Sequence, residues 1–290
     1  MNSHLSTLRL PTNTKVNSIF FADANTIATT DKEGTVKLFT RSDEQEEATL
    51  TQQYKNHTGL ITDLSFAPIT HARYILTCGY DRTINLNLDG KTVFSYSETD
   101  TEVGYFTSCC FLRTEPNALT FLVGSSNGYV IEFRSITSFK PEKKKLMEGS
   151  IVNLNSSDGY SYVACFENAT PKLCQYDQEP LELDTDLITN KLKLALPRTG
   201  EDDEVTVLLV DDLGNVEVVR VNKSERTVTR EASLQLKDKL LNASWNFSGL
   251  SANLVADGGA YGTDFKLVRL QYDFEEKKGW SLIENDQVDS

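Results

Sequence analysis

The sequence predicts an all-β protein built from a repeated unit, and three observations lead to this prediction. Helix-period stripes are scarce, whereas apolar and polar residues alternate in many short runs, such as "TINLNL" at 83–88. Polar turns containing Asp, Asn or Gly separate these runs. The same strand–turn–strand form also returns along the chain at a nearly constant interval, which indicates an internal repeat.

The repeat can be followed by the first apolar residue after each turn. These anchors lie 43 to 51 residues apart, at Val36, Ile84, Val130, Leu173, Val216 and Leu267. Four short strands at a spacing of ~40–50 residues are typical of a β-propeller blade. Six such units account for almost all of the 290 residues. We therefore predict one propeller domain over 1–290, with blades at about 10–50, 51–98, 99–145, 146–188, 189–233 and 234–285.

An aromatic position recurs in the first strand of several units, in "VNSIFFAD", "ITDLSFAP", "FTSCCFLR" and "LNASWNFS". Trp245 occupies the position that Phe20 or Phe21, Phe66 and Phe111 hold in the other copies. Its predicted role is structural, in core packing between neighbouring sheets.

Composition argues against several classes of function. A formal net charge of -13 disfavours a nucleic-acid groove, which needs a basic stripe, and direct docking on anionic lipid. No apolar run reaches the ~18 residues that span a bilayer, and "MNSHLSTLRLPTNTK" does not resemble a signal peptide. We expect a cytoplasmic or nuclear protein whose membrane association is indirect. The five cysteines lack metal-site spacing, so no metal or cofactor is predicted.

One basic run, "KPEKKKL" at 140–146, stands out in this acidic chain. A contact with a partner or a lipid is one interpretation. The favoured interpretation is a solvated hairpin loop between the third and fourth blades.

The repeats resemble WD-repeat propellers, most clearly in "NHTGLITDLSFAPITHARYILTCGYDRTINLN". The resemblance implies that His57, before the first strand of the blade, reaches Asp81 in a later turn. Asn87 stands where the family usually has Trp. We interpret the His57–Asp81 pair as a structural hydrogen bond within the blade rather than as an acid–base pair.

A narrower resemblance lies in "LLNASWNFSGLSANLVADGG" and the following "FKLVRLQYDFEEKKGWSLI". These segments are similar to the final blade of the small WD-repeat subunits of the COPII outer coat, which are shared with the Y-shaped complex of the nuclear pore. The paralogous pore-scaffold propellers remain an alternative. The matching residues are Ala243, Ser244, Trp245, Ser248, Gly249, Gly258, Gly259 and Trp280.

This resemblance implies a six-bladed, open propeller that a large α-solenoid partner completes by inserting a β-blade. The protein would then be a non-enzymatic scaffold at COPII vesicles on the endoplasmic reticulum, at the nuclear pore, or at both. An open ring leaves edge strands whose backbone groups can pair with a partner strand. We expect these edges in the first and last blades, with candidate contacts at Val16, Ile19, Phe20, Phe21, Leu267 and Leu270.

Two other functions are weighed against the scaffold. An enzyme with its site at the mouth of the channel is disfavoured, because the sequence has no Gly-x-Ser-x-Gly elbow, no phosphate-binding loop leading into a helix and no His-Glu-x-x-His motif. The other alternative is a closed WD-repeat adaptor that binds short peptide motifs. An N-terminal strand around Leu5–Leu10 that completes the last blade would favour the adaptor.

Overall fold

A computed structural model describes residues 8–9, 16–22, 26–40, 48–67, 74–115, 118–135, 140–157, 160–167, 170–175, 181–183, 192–199, 203–211, 213–236, 240–245, 251–257, 264–273 and 279–284. All regular secondary structure in these ranges is β-strand. The prediction of an all-β protein is therefore confirmed.

The strands form antiparallel sheets, each built from four consecutive strands, and one of the sheets also includes a fifth strand from the start of the chain. Sheet one consists of β2 (Ser18–Phe21), β3 (Thr26–Thr30), β4 (Thr35–Thr40) and β5 (Thr49–Lys55). Sheet two consists of β6 (Ile61–Phe66), β7 (Tyr74–Gly79), β8 (Thr83–Leu88) and β9 (Lys91–Ser97). Sheet three consists of β10 (Phe106–Glu115), β11 (Ala118–Ser125), β12 (Tyr129–Ser135) and β13 (Lys140–Lys145).

The second half of the chain repeats this organisation. Sheet four consists of β14 (Ser150–Ser157), β15 (Tyr160–Glu167), β16 (Thr170–Gln175) and β17 (Leu181–Glu182). Sheet five consists of β18 (Leu192–Thr199), β19 (Glu204–Asp211), β20 (Asn215–Asn222) and β21 (Thr227–Gln235). Sheet six contains β22 (Leu240–Trp245), β23 (Ser251–Asp257), β24 (Asp264–Asp273) and β25 (Gly279–Glu284).

Sheet six also receives the N-terminal strand β1 (Leu8–Arg9). Leu8 lies opposite Phe265 and Arg9 lies opposite Asp264, whereas β25 pairs with β24 from Val268 onward. Within the described residues, β1–β24 is the one strand pair that links the start of the chain to its last sheet.

The first strand of each sheet contacts the first strand of the next, from β2 through β22. Strand β22 also contacts β2, so the first and last sheets touch. The arrangement is propeller-like, with apolar clusters between neighbouring sheets. Between sheets two and three, for example, the ring of Phe94 packs against Phe121 and Phe133, with ring centroids 6.2 and 5.8 Å apart.

The same type of turn joins the second and third strands in four of the sheets. Each turn has one residue with positive φ at the same position, namely Gly34, Arg82, Gly128 and Gly214, with φ between 61° and 83°. Three of the four are glycine, because residues without a Cβ adopt this conformation at little cost. Arg82 adopts the same left-handed backbone although it has a Cβ. Among these four turns, only the turn of sheet two therefore carries this backbone strain.

The first two strands of sheets two to six share a register shift near the start of the first strand, as between Ile61 and Asp63. Equivalent shifts occur in the other four sheets. Such bulges increase local twist and redirect side chains. They bring polar side chains of one sheet to the backbone of the next.

The basic run at 140–146 differs from its predicted form. Its residues 140–145 form β13, the outer strand of sheet three, rather than a hairpin loop. Lysines on an outer strand hinder edge-to-edge pairing with other chains. Neither face of this strand carries a row of apolar side chains, so the sequence shows no hydrophobic alternation that would predict it.

Candidate functional sites

The imidazole ring of His57 is enclosed in sheet two, at 2% exposure. Its Nδ1 lies 3.0 Å from Oδ1 of Asp81, and its Nε2 lies 2.9 Å from Oγ1 of Thr77. The Asp81 carboxylate also accepts the backbone N–H groups of Thr58 and Thr83. The sequence-predicted partners are thus in contact. Because these groups are engaged with the protein itself, the geometry fits a structural role better than an acid–base role.

Electrostatics favour an ionised Asp81. Burial alone would raise the pKa of its carboxyl, but the hydrogen bond and charge of His57, with the two backbone donors, outweigh burial and hold the pKa below its usual range. Asn87, at the family's Trp position, is buried and accepts hydrogen bonds from Asn56 and Thr92 at 3.0 and 2.9 Å. A polar network therefore occupies the place of the indole.

A second polar network crosses three sheets at their register shifts. Oδ2 of Asp63 in sheet two accepts the hydroxyl of Ser108 and the backbone N–H of Cys109 in sheet three, both at 2.9 Å. Ser108 Oγ in turn accepts the backbone N–H of Leu154 in sheet four at 2.8 Å. The side chain at one bulge thus binds a backbone donor at the next bulge. Sequence reasoning missed this network, because it is visible only once the sheets are placed side by side.

The environment of Asp63 is unfavourable to its charge. The residue as a whole is partly exposed, but its carboxylate lies deep among neighbouring atoms, and this burial raises its pKa to about 6. The hydrogen bonds from Cys109, Ser108 and Leu64 act in the opposite direction but do not cancel the burial. Asp63 is consequently an acid with an enclosed carboxyl group whose protonation changes near pH 6.

The residues predicted to receive a partner's blade in sheet one lie mostly within the chain's own core. Val16 and Ile19 are 8% and 1% exposed. Phe20 is partly buried and packs against the cluster between sheets one and two. Phe21 ends β2 opposite Ile27. Their role as a receiving edge stays a prediction.

The predicted edge in sheet six lies in β24. Leu267 is opposite Val255 of β23, and Leu270 is opposite both Ala252 of β23 and Leu282 of β25. Strand β25 therefore already covers the Leu270 part of this edge. Along this side of β24, the described pairing consists of β1 at 264–265 and β25 at 268–273.

The two tryptophans lie in the same sheet. Trp245 is the last residue of β22 and faces Ala252, just as Phe66 ends β6 opposite Ile75. Trp280 lies in β25 opposite Tyr272. Trp245 thus shares the backbone position of Phe66, as the aligned repeats predict. The packing role of the two tryptophans stays a prediction.

Three cysteines, Cys78, Cys109 and Cys110, are buried free thiols. Among the described residues, no group of three or more His, Cys, Asp or Glu side chains is arranged to hold a metal ion. A search of the same residues finds no helix with the length and apolar character needed to cross a bilayer.

Comparison with known proteins finds no protein-family model and no curated protein that matches this chain. The resemblance to the COPII-coat and nuclear-pore propellers therefore stays a prediction from the motifs.

Proposed function

We propose that this chain is a non-enzymatic scaffold subunit whose propeller receives a β-blade from a larger partner between its last and first sheets. One observation carries this proposal: each sheet is complete with its own four consecutive strands. In the described part of the chain, only the two-residue strand β1 pairs across the joint. Separating sheets one and six would break that short ladder and leave all the four-stranded sheets whole.

A donated blade would gain stability in two ways. Its strands would form backbone hydrogen bonds with the edge of β24 now occupied by β1, and its apolar face would cover the neighbouring sheets. Obligate interfaces of this kind bury ~2,000 Å² or more. The motifs in sheet six indicate the class of partner, an α-solenoid of the COPII outer coat or its nuclear-pore equivalent. Such a protein lies at vesicle membranes or pores through its partners, with no direct nucleic-acid contact.

A second candidate function is a closed adaptor that binds short peptide motifs. The specific observations that favour it are the β1–β24 pair and the contact between β2 and β22. Together they join the two ends of the isolated chain without a partner.

Affinity capture of the full chain, followed by cross-linking and mass spectrometry, tests the scaffold proposal. We expect a large partner at equal stoichiometry, with cross-links concentrated at 16–22 and 264–273. The chain alone should be poorly soluble, and co-expression with that partner should restore solubility. A monodisperse, protease-resistant monomer that captures only changing, substoichiometric proteins would overturn the proposal and support the adaptor.

The variant Arg9→Pro separates the two candidates, because proline removes a backbone donor from β1 and restricts its backbone. In the scaffold, weakening β1 should preserve or increase capture of the stoichiometric partner. In the adaptor, it should destabilise the free protein and reduce binding. Arg9→Ala, which keeps the backbone N–H, is the matched control.

A further inference from the structure

Three segments of sheets two and three meet at one end of the molecule. They are the turn 79–82, the connection 98–105 and the turn 125–128. The Arg82 guanidinium donates to the carbonyl oxygen of Asp100. The side-chain amide of Asn127 donates to the carbonyl oxygen of Glu102 at 3.0 Å. These bonds hold the three segments together as one surface.

This surface presents two tyrosines. The rings of Tyr80 and Tyr105 are 4.4 Å apart between centroids and nearly perpendicular, at 84°. Tyr80 is 48% exposed, although it is a large side chain next to the buried core. Tyr105 is partly buried and supports the exposed ring of Tyr80, which leaves an aromatic surface open to solvent. We call Tyr80, Tyr105 and the neighbouring carboxylates of Asp100 and Glu102 the tyrosine platform.

The connection that carries the platform is held in one conformation. The backbone N–H of Ser126 donates to the carbonyl oxygen of Tyr105 at 2.9 Å, and Ser126 Oγ accepts the N–H of Tyr105 at 3.2 Å. Gly104 has a φ of +80°, and a Cβ there would lie 2.2 Å from Ser126 Oγ. The buried carboxylate of Glu98 fixes the N–H of Asp100 at 2.9 Å. A ligand would therefore meet a preorganised surface, which lowers the entropic cost of binding.

The charges of the three segments bear on the class of ligand that this surface would attract. Asp100 and Glu102 are both exposed, and Asp100 Oδ1 accepts the backbone N–H of Glu102 at 3.0 Å. Arg82 is the one cation of the three segments, and its guanidinium donates to the carbonyl oxygen of Asp100. The faces of tyrosine rings attract cations, and nearby carboxylates strengthen that preference. The whole chain is also acidic, with a net charge of -13.

We propose that the tyrosine platform binds the cationic side chains of a basic segment, rich in arginine or lysine, in a partner protein. The inference rests on the proposed function in protein assembly and adds a contact surface away from the joint between sheets one and six. Because sheets two and three carry it, the platform remains available whether or not a blade is inserted.

The test uses a synthetic peptide of glycine, serine and four arginines, and the same peptide with citrulline in place of arginine. Citrulline keeps the shape of arginine and removes its charge. Fluorescence-anisotropy titrations of labelled peptide with the full chain, which need only dilute protein, should show binding of the arginine peptide that weakens with added salt. Replacing arginine by citrulline should abolish the binding. A third peptide with lysine distinguishes a guanidinium preference from a general cation preference.

Variants locate the binding. Tyr80→Leu and Tyr105→Leu should each weaken the arginine peptide about three- to tenfold, and Tyr80→Phe should keep the affinity. Asp100→Asn combined with Glu102→Gln should weaken binding and flatten its salt dependence. Glu33→Gln is the matched control, since Glu33 is exposed in the equivalent turn of sheet one.

Two results would overturn the inference. One is equal binding of the arginine and citrulline peptides. The other is a loss of affinity in Glu33→Gln as large as in Tyr80→Leu, which would mean non-specific attraction to an acidic protein. Either result leaves the proposed scaffold function unaffected, because that function is tested by capture and cross-linking at the joint.

Discussion

At the scale of single residues, two glycines show how strictly the backbone limits substitution. Gly128 has a φ of +80°, and a Cβ there would lie 1.8 Å from the carbonyl oxygen of Met147. Gly59 has no atom within 4 Å of the equivalent point. The two residues have the same chemistry and opposite surroundings.

This contrast gives a stability prediction. Gly128→Ala should lower the free energy of unfolding by about 2 kcal/mol or more, because the backbone conformation is strained and the carbonyl must move. Gly59→Ala should change it by less than about 0.5 kcal/mol. Urea denaturation of both variants measures the difference. Similar losses in both would mean that the β11–β12 turn does not have the described geometry.

The pKa of Asp63 predicts a pH dependence. Its folded value, about 6, lies above the ordinary value of 3.8, so the folded state binds this proton more tightly than the unfolded state. The contribution of the protonated Asp63 carboxyl to the free energy of unfolding is complete below pH 3.8 and is lost as the pH rises through 6. The loss amounts to at most about 3 kcal/mol, at about 1.4 kcal/mol for each pH unit.

The measurement is the free energy of unfolding of the native chain minus that of Asp63→Asn, between pH 3.5 and 7.5. Taking the difference removes the contributions of other carboxyls. We expect the difference to fall as pH rises. A constant or rising difference would show that the carboxylate of Asp63 is not buried as described.

At the scale of elements, a contact between outer strands joins sheets two and three. Lys143 of β13 donates to the carboxylate of Glu98, which follows β9, at 2.8 Å. Glu98 is 5% exposed and also accepts the hydroxyl of Tyr96. Burial alone would raise the pKa of Glu98, but Lys143 and the other donors outweigh it and lower the pKa.

Removing this lysine should therefore destabilise the protein. We expect Lys143→Met to cost about 1–2 kcal/mol near pH 7, less than a fully buried pair, because Lys143 is partly exposed. Lys140→Met, at an exposed position of the same strand, should cost little. The difference should shrink as pH falls through the lowered pKa of Glu98, where the carboxylate becomes protonated. Equal costs for the two variants in urea denaturation would contradict this assignment.

The elements also show what sequence patterns can and cannot predict. The anchors Val36, Ile84, Val130 and Val216 all lie at the second residue of the third strand in their sheets. Leu173 and Leu267 lie two residues further along β16 and β24. Because side chains alternate with a period of two, these two anchors lie on the same face of the strand as the other four, but two residues later in the strand.

Contacts between sheets were harder to predict than the strands. The His57–Asp81 contact was predicted because a family motif carries both residues. The Asp63–Ser108 network joins residues 45 positions apart and depends on bulges that leave no sequence pattern. The Tyr80–Tyr105 pair likewise joins two loops whose approach is set by sheet packing. The lysine-rich strand β13 was missed because it lacks an apolar face.

At the scale of the whole molecule, the scaffold and the adaptor differ at the joint between sheets one and six. The other neighbouring sheets follow one another along the chain, and polar networks such as that of Asp63 join sheets two, three and four. The joint connects the two ends of the described chain through the contact of β2 with β22 and the short β1 ladder. It is the place where a ring can open without moving a chain segment that runs directly from one sheet to the next.

Hydrogen–deuterium exchange at this joint is the most direct test of the scaffold account, with the free chain compared with the complex that it forms with its captured partner. We expect slower exchange at 16–22 and 264–267 in the complex, because a donated blade covers sheet one and pairs with β24 in place of β1. Exchange in β11 and β12, at the centre of sheet three, should stay unchanged. Unchanged exchange at the joint, with protection confined to the turns at the end of the molecule, would contradict blade insertion and identify a closed adaptor.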